Sequence, residues 1–166
     1  MSADVQKGGS IDVLQDGAAV LTWSLGTQQL HAVDPRTATT TSATAVVPAQ
    51  AAPGAGLQQT TVVDLRGGTV AIVEEKTGKV WAQRVDGRTG VDDMSKIGAS
   101  AKPLATVGGR ASLAVGVDGS VHVASGEKGT VTTMRPAGDE FGAPVTVDGV
   151  AKGPGLQVSA LGDQWL

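Results

Sequence analysis

QDGAAVLTW at 15–23, RGGTVAIVE at 66–74, VDGSVHVAS at 117–125 and LGDQWL at 161–166 are four versions of one phrase. Each sets a turn on Gly, usually with Asp, and follows it with a strand of apolar residues. Val20, Val70, Val121 and Trp165 hold the same place in the phrase and fall 50, 51 and 44 residues apart. Short strands repeating at a period of about 40–50 residues are the mark of β-propeller blades.

Working outward from these anchors, alternation and Gly-based turns predict a four-strand meander repeated along the chain. The first unit spans about 11–47, with strands over 11–14, 18–23, 28–33 and 44–47. Asp16-Gly17 and Gly26-Thr27 form its turns, and Asp34-Pro35 ends its third strand because Pro cannot donate to a ladder. The second unit spans about 60–107, with strands over 61–65, 69–74, 79–85 and 104–107 and a polar loop over 86–100. The third spans about 111–150, with strands over 112–117, 120–124, 130–134 and 144–147. A partial fourth covers 156–166. Helical spacing is confined to 91–97, which predicts at most one helical turn. The Thr-, Ala- and Pro-rich stretch 37–56 reads as a long loop, or in its Thr-rich half as an outer strand, since Thr suits a pleated surface. PGAGLQ at 53–58 and GPGLQ at 153–157 sit in comparable places ahead of a first strand.

Composition supports an all-β chain. With three Trp, one Phe and no Tyr among 166 residues, the core must come from Val, Ala, Leu and Ile, and β-branched Val favours strands. There are 24 Gly and no Asn, so Gly and Asp carry the turn chemistry. A net charge of −3, with Lys and Arg scattered singly, argues against a nucleic-acid footprint. No apolar run reaches the length of a membrane span, and MSADVQKGGS at 1–10 lacks the regions of a signal peptide. The absence of Cys removes disulfides and thiolate metal sites.

Three units and the opening of a fourth leave sheet edges unpaired, whereas propellers protect theirs by closing a ring. The favoured expectation is a fragment of a longer propeller. In the other, residues 3–6 add an outer strand to the pair within 156–166.

Candidate chemistry is sparse. His31 and His122 have no Cys or His partners at ligand spacing, and both read as half-exposed strand residues. The adjacent pairs Glu74-Glu75, Asp92-Asp93 and Asp139-Glu140 cannot span a substrate as acid and base and read as solvated turn charges. The calcium-loop spacing is missing around Asp92. Gly67-Gly68 and Gly108-Gly109 lack the Lys and following helix of a phosphate loop. No Gly-x-Ser-x-Gly elbow occurs. EKTGKVW at 75–81 resembles the Thr-Gly-Lys-x-x-Trp signature of quinoprotein propeller repeats. Trp81 arrives one residue early and the other units keep only the Gly, so no cofactor follows. Trp81 and Trp23 are expected to pack between units. No catalytic, cofactor-binding or metal-binding residue is assigned.

Taken together, VLQDGAAVL, GTQQLHAVDPRT, GGTVAIVEEKTGKVWAQRVD and VDGSVHVAS resemble the N-terminal propeller-like region of large actinobacterial cell-surface proteins that carry fibronectin type III or Ig-like repeats. The resemblance implies an extracytoplasmic, membrane-anchored module without catalysis, in a longer protein. The expected function is therefore a binding or scaffold surface for a protein or glycan partner. Two alternatives stand beside it: a lyase- or hydrolase-type propeller enzyme with its site at the hub, and a structural subunit that associates through open blade edges. An enzyme needs His, Glu or Asp from several units converging on one axis, where this chain repeats Val, Ala and Gly.

Overall fold

A computed structural model of the chain describes residues 11–24, 27–46, 61–162 and 164–166. Strands β1 (Ile11–Asp16), β2 (Ala19–Ser24), β3 (Gln29–Asp34) and β4 (Thr39–Val46) form one antiparallel meander. A second is made by β5 (Thr61–Arg66), β6 (Thr69–Glu74), β7 (Lys79–Arg84) and β8 (Ala105–Thr106). In the third, β9 (Ala111–Val115), β10 (Val121–Ser125) and β11 (Thr130–Met134) precede a small hairpin, β12 (Pro136–Ala137) with β13 (Glu140–Phe141), and β14 (Val145–Asp148) closes the sheet. A final hairpin pairs β15 (Ala160–Leu161) with β16 (Gln164–Trp165). No helix occurs among the described residues.

The three second strands are superposable in sequence: Val20, Val70 and Val121 each lie four residues before the residue that opens the next turn, Ser24, Glu74 or Ser125. Alternation along a strand sends neighbouring side chains to opposite faces, and here those faces have consistent partners. Leu21 and Trp23 of sheet 1 pack with Val70, Ile72 and Trp81 of sheet 2. Ala71 and Val73 on the other face of sheet 2 pack with Val121, Val123 and Met134 of sheet 3. Ala124 and Val131 on the far face of sheet 3 meet Val158, Leu156 and Trp165 near the final hairpin. Every sheet thus turns its forward face to the next unit. The first strands approach one another as well, β1 against β5 and β5 against β9.

Side chains and turns stitch these faces together. Asp16 Oδ2 accepts from the Gly68 amide at 2.6 Å, and Asp64 Oδ2 from the Val115 amide at 2.9 Å. Thr69 Oγ1 donates to the Gly119 carbonyl at 2.9 Å, and Arg84 Nη1 donates to the Gly67 carbonyl and to Thr69 Oγ1. Gly67 has φ +57°, and a Cβ there would stand 2.3 Å from the Gly119 amide nitrogen. Its position in the turn therefore demands both the left-handed backbone and the missing side chain.

Several sequence expectations need correction. Residues 91–97 form no helix and close only a single turn, with Ile97 N donating to Met94 O at 3.4 Å. Val91, Met94 and Ile97 are buried in the core between sheets 1 and 2, and Gln83 holds the segment open by donating to the Asp93 carbonyl and accepting from the Lys96 amide. The loop 86–100 is thus partly a core element. The turn between β9 and β10 is longer than expected, because Gly116 and Ser120 already face each other through a 2.8 Å bond. The fourth strand of sheet 2 pairs only over Ala105–Thr106. The Thr-rich part of 37–56 is a strand, β4, whose register shifts between His31 and Val33. The proposed outer strand at 3–6, the Gly26 turn position and the connector 53–58 lie outside the described residues.

Candidate functional site

The turns between second and third strands emerge at the same end of sheets 2 and 3. In sheet 2 the Gly78 amide donates to the Glu74 carbonyl, and in sheet 3 the Gly129 amide donates to the Ser125 carbonyl, both at 2.8 Å. The segments leaving the fourth strands pass over these turns: Val107 N donates to Gly78 O, and Val150 N to Gly129 O. The connector then zips onto both turns, with Ala111 N donating to Glu75 O, Gly126 N to Arg110 O and Glu127 N to Gly109 O. Gly153 N continues the run by donating to Gly126 O.

Between these strips lies an open groove of about 880 Å³, lined by Glu75 and Lys76 of one turn, Gly126 and Glu127 of the next, the connector 109–112, and Lys152, Pro154, Leu156 and Gln157. Its acids differ in role. Glu127 Oε2 accepts from the Gly109 amide at 2.6 Å and braces the connector. Glu75 is half-buried, and burial pushes its carboxyl up from the usual value, with no neighbouring cation acting to lower it. Lys76, Arg110 and Lys152 are exposed. None of them belongs to the ion pairs found among the described residues, Asp34–Arg36, Asp86–Arg88 and Lys96–Glu140. Arg110 also holds φ +53°, a conformation rare outside Gly, fixed by the bond its carbonyl accepts from Gly126. Beneath the groove, Ser112 Oγ is shut from solvent and has no hydrogen-bond partner.

Of the residues weighed for chemistry in the sequence, Glu75 and Gly109 line the groove, as do Pro154, Leu156 and Gln157 of the connector 153–157, and the histidines and other acidic pairs lie elsewhere. His31 is half-buried on β3, with Nδ1 at 3.2 Å from Thr44 Oγ1, as expected. His122 is not half-exposed but 0% exposed. It occupies the forward-facing place of Leu21 and Ala71, and the final hairpin covers it. Its Nε2 donates to the Gly162 carbonyl at 3.3 Å, while Nδ1 lies 3.0 Å from Thr133 Oγ1. Of the acidic pairs, Asp92, Asp93, Asp139 and Glu140 are exposed as expected. Asp93 receives bonds from Ser95, and Glu140 pairs with Lys96, raising that ammonium's pKa. Glu74 accepts from Thr77 Oγ1. Glu75 departs from the solvated reading because the connector packs over its turn. Trp23 and Trp81, each 3% exposed, share the core between sheets 1 and 2.

Arg110, Ser112 and Lys152 carried no sequence signal as site residues. A signal for the place did exist in the paired turns Glu75-Lys76-Thr77-Gly78 and Glu127-Lys128-Gly129. Chemically, the groove offers fixed charge of both signs and backbone polar groups. No His lines it, and no base touches Ser112 Oγ. Among the described residues, no three His, Asp or Glu gather as metal ligands. No family model, no curated protein and no solved structure matches the chain.

Proposed function

We propose that this chain is a β-propeller segment that serves, without catalysis, as a binding surface of a larger cell-surface protein, with the groove over 75–157 as its recognition site. The observation that carries this reading is the groove itself. It is assembled from the same turn of two successive repeats and presents Glu75, Lys76, Arg110 and Lys152 without ion-pair partners among the described residues. Unpaired charges held on a rigid scaffold are what recognition uses, since loops set on fixed sheets can vary without cost to the core. The propeller form is supported by three meanders in sequential strand order whose first strands lie side by side. The cell-surface setting is supported by the sequence resemblance.

The test is an amide chemical-shift titration of the whole chain with short peptides and with oligosaccharides. Shifts clustered at Glu75, Gly109, Arg110, Gly126 and Lys152 are expected for one class. Ligands that perturb only other surfaces, or none, would remove the groove from consideration.

A second reading, assembly through open sheet faces, is favoured by exposed apolar residues at two places. Ile11 and Val13 of β1 are 42% and 66% exposed, and Val145 and Val147 of the edge strand β14 are 53% and 46% exposed. Long apolar edges pair with other chains. Light scattering across a tenfold dilution decides it: a mass that rises with concentration supports assembly, and a constant monomer mass removes it.

A further inference from the structure

From the charge layout of the groove we infer that its ligand is a peptide segment bearing both a basic and an acidic side chain, the basic group going to Glu75 and the acidic group to Arg110 and Lys152. This rests on the groove being a recognition site and adds the chemistry of what it recognises.

The argument is one of signs that fail to cancel. Glu75, Glu127 and the three cations line one cavity, yet no ion pair joins them among the described residues, and Glu127 is engaged by the Gly109 amide. Burial pushes the Glu75 carboxyl up from its usual value, and among the described residues no Lys or Arg stands within ion-pair distance of it. Lys76 follows Glu75 in the chain, and the strip carrying Arg110 is bonded to the Glu75 backbone through the Ala111 amide, so charges of both signs stand side by side along the groove. A polyanion would meet the cations but suffer Glu75, Glu127 and the chain's net charge of −3. A polycation would meet Glu75 but suffer Lys76, Arg110 and Lys152. Like-charge juxtaposition is how an interface rejects the wrong partner. A ligand with both signs can set an opposite charge against each of these groups. The lining contains no aromatic ring, so a neutral sugar finds no face on which to stack. A cavity of this size falls within the range of about 300–1,000 Å³ that takes a ligand of several residues' bulk.

The experiment is fluorescence anisotropy of the full chain against three labelled peptides of equal length: alternating Lys-Glu, all-Glu and all-Lys. The mixed peptide is expected to bind about tenfold or more tightly than either of the others, with affinity falling as salt is raised. Glu75→Gln is expected to weaken the mixed peptide about three- to tenfold and to let the all-Glu peptide bind nearly as well; Lys152→Ala should instead bring the all-Lys peptide closer. Retained circular dichroism shows that the variants are folded. All-Glu binding as tight as the mixed peptide, or a Glu75→Gln variant with unchanged discrimination, overturns the inference while leaving the groove a binding site. If no peptide binds, the inference fails; the wider reading falls only if the chemical-shift titration also leaves the groove silent.

Discussion

Trp81 is the most demanding test of how these sheets are held together. It lies on β7 opposite Ile72, is 3% exposed, and packs among Leu21 and Trp23 of β2 and Met94 and Ile97 of the loop after β7. Its indole N–H donates to the Ala101 carbonyl at 2.9 Å, tying the long loop after β7 to the core. A buried Trp removes roughly 150–250 Å² from water, which at about 25 cal/mol per Å² corresponds to about 4–6 kcal/mol. Alanine keeps one methyl and the cavity partly collapses, so Trp81→Ala should cost about 3–5 kcal/mol, a large share of the ~5–15 kcal/mol that domains of this kind possess. Trp81→Phe keeps most of the apolar area and loses the hydrogen bond, and should cost about 1–2 kcal/mol. Urea unfolding followed by circular dichroism reads both, since removing a Trp alters the fluorescence signal itself. A loss under about 0.5 kcal/mol for Trp81→Ala would refute packing between the sheets. Equal losses for Ala and Phe would assign the effect to the Ala101 bond instead.

Other outcomes follow from the same contacts. Ala38 at φ +53° and Gly90 at φ +96° fill the same place in matching turns; Ala38→Gly should gain up to about 1 kcal/mol and Gly90→Ala lose about 1–2 in urea midpoints, and a change of opposite sign at both would dismiss the matching. A Cβ on Gly116 would lie 1.9 Å from the Gly162 carbonyl, so Gly116→Ala should loosen the final hairpin, read as faster amide exchange at 158–166 with sheet 2 unchanged; unaltered exchange would mean the hairpin is not seated there. Ser112→Ala removes a buried hydroxyl that has no partner and should be neutral or stabilising by about 1 kcal/mol; a loss above about 1 kcal/mol means the hydroxyl is satisfied. Burial tends to raise the Asp118 carboxyl, but the bonds from Ser120 outweigh it and hold its pKa below the usual value. Its carboxylate therefore stabilises the fold above the ordinary carboxylate range, and that contribution disappears as pH falls through the lowered pKa. Wild-type urea midpoints should drop through this window more than those of Asp118→Asn, and parallel curves would rule the linkage out.

The sequence made the sheets legible because their signal is local. Turn residues at Gly17, Gly67 and Gly119 and the alternation after them are enough to align Val20, Val70 and Val121; the pairing with the first strand agrees in sheets 1 and 2 and is offset by one residue in sheet 3, where the turn is longer. A further repeat was available in VDPRTA at 33–38 and VDGRTG at 85–90. In both, the Asp side chain accepts from the amide two residues on at 2.8 Å, and Asp86 is held below its usual pKa chiefly by that bond to Arg88. What stayed hidden depends on partners distant in the chain. Apolar residues every third position at 91–97 satisfy a helical spacing, yet Gln83 supplies the hydrogen bonds a helix would have made. His122 reads as a surface residue until the Gly162 hairpin is laid over it. The groove draws on residues from 75 to 157, and single charges at such spacing carry no pattern of their own. Only the repeated Glu-Lys of its two turns hinted at it.

The forward-facing arrangement of the sheets has a thermodynamic consequence. Among the described residues the apolar interfaces join successive units, so the free energy of the array is a chain of intrinsic terms and nearest-neighbour couplings, as in a one-dimensional lattice. Sheet 2 has apolar neighbours on both faces, while the rear face of sheet 1 leaves Val13 largely open to solvent. Opening should therefore begin at the ends and move inward, with the amides of β6 the last to exchange.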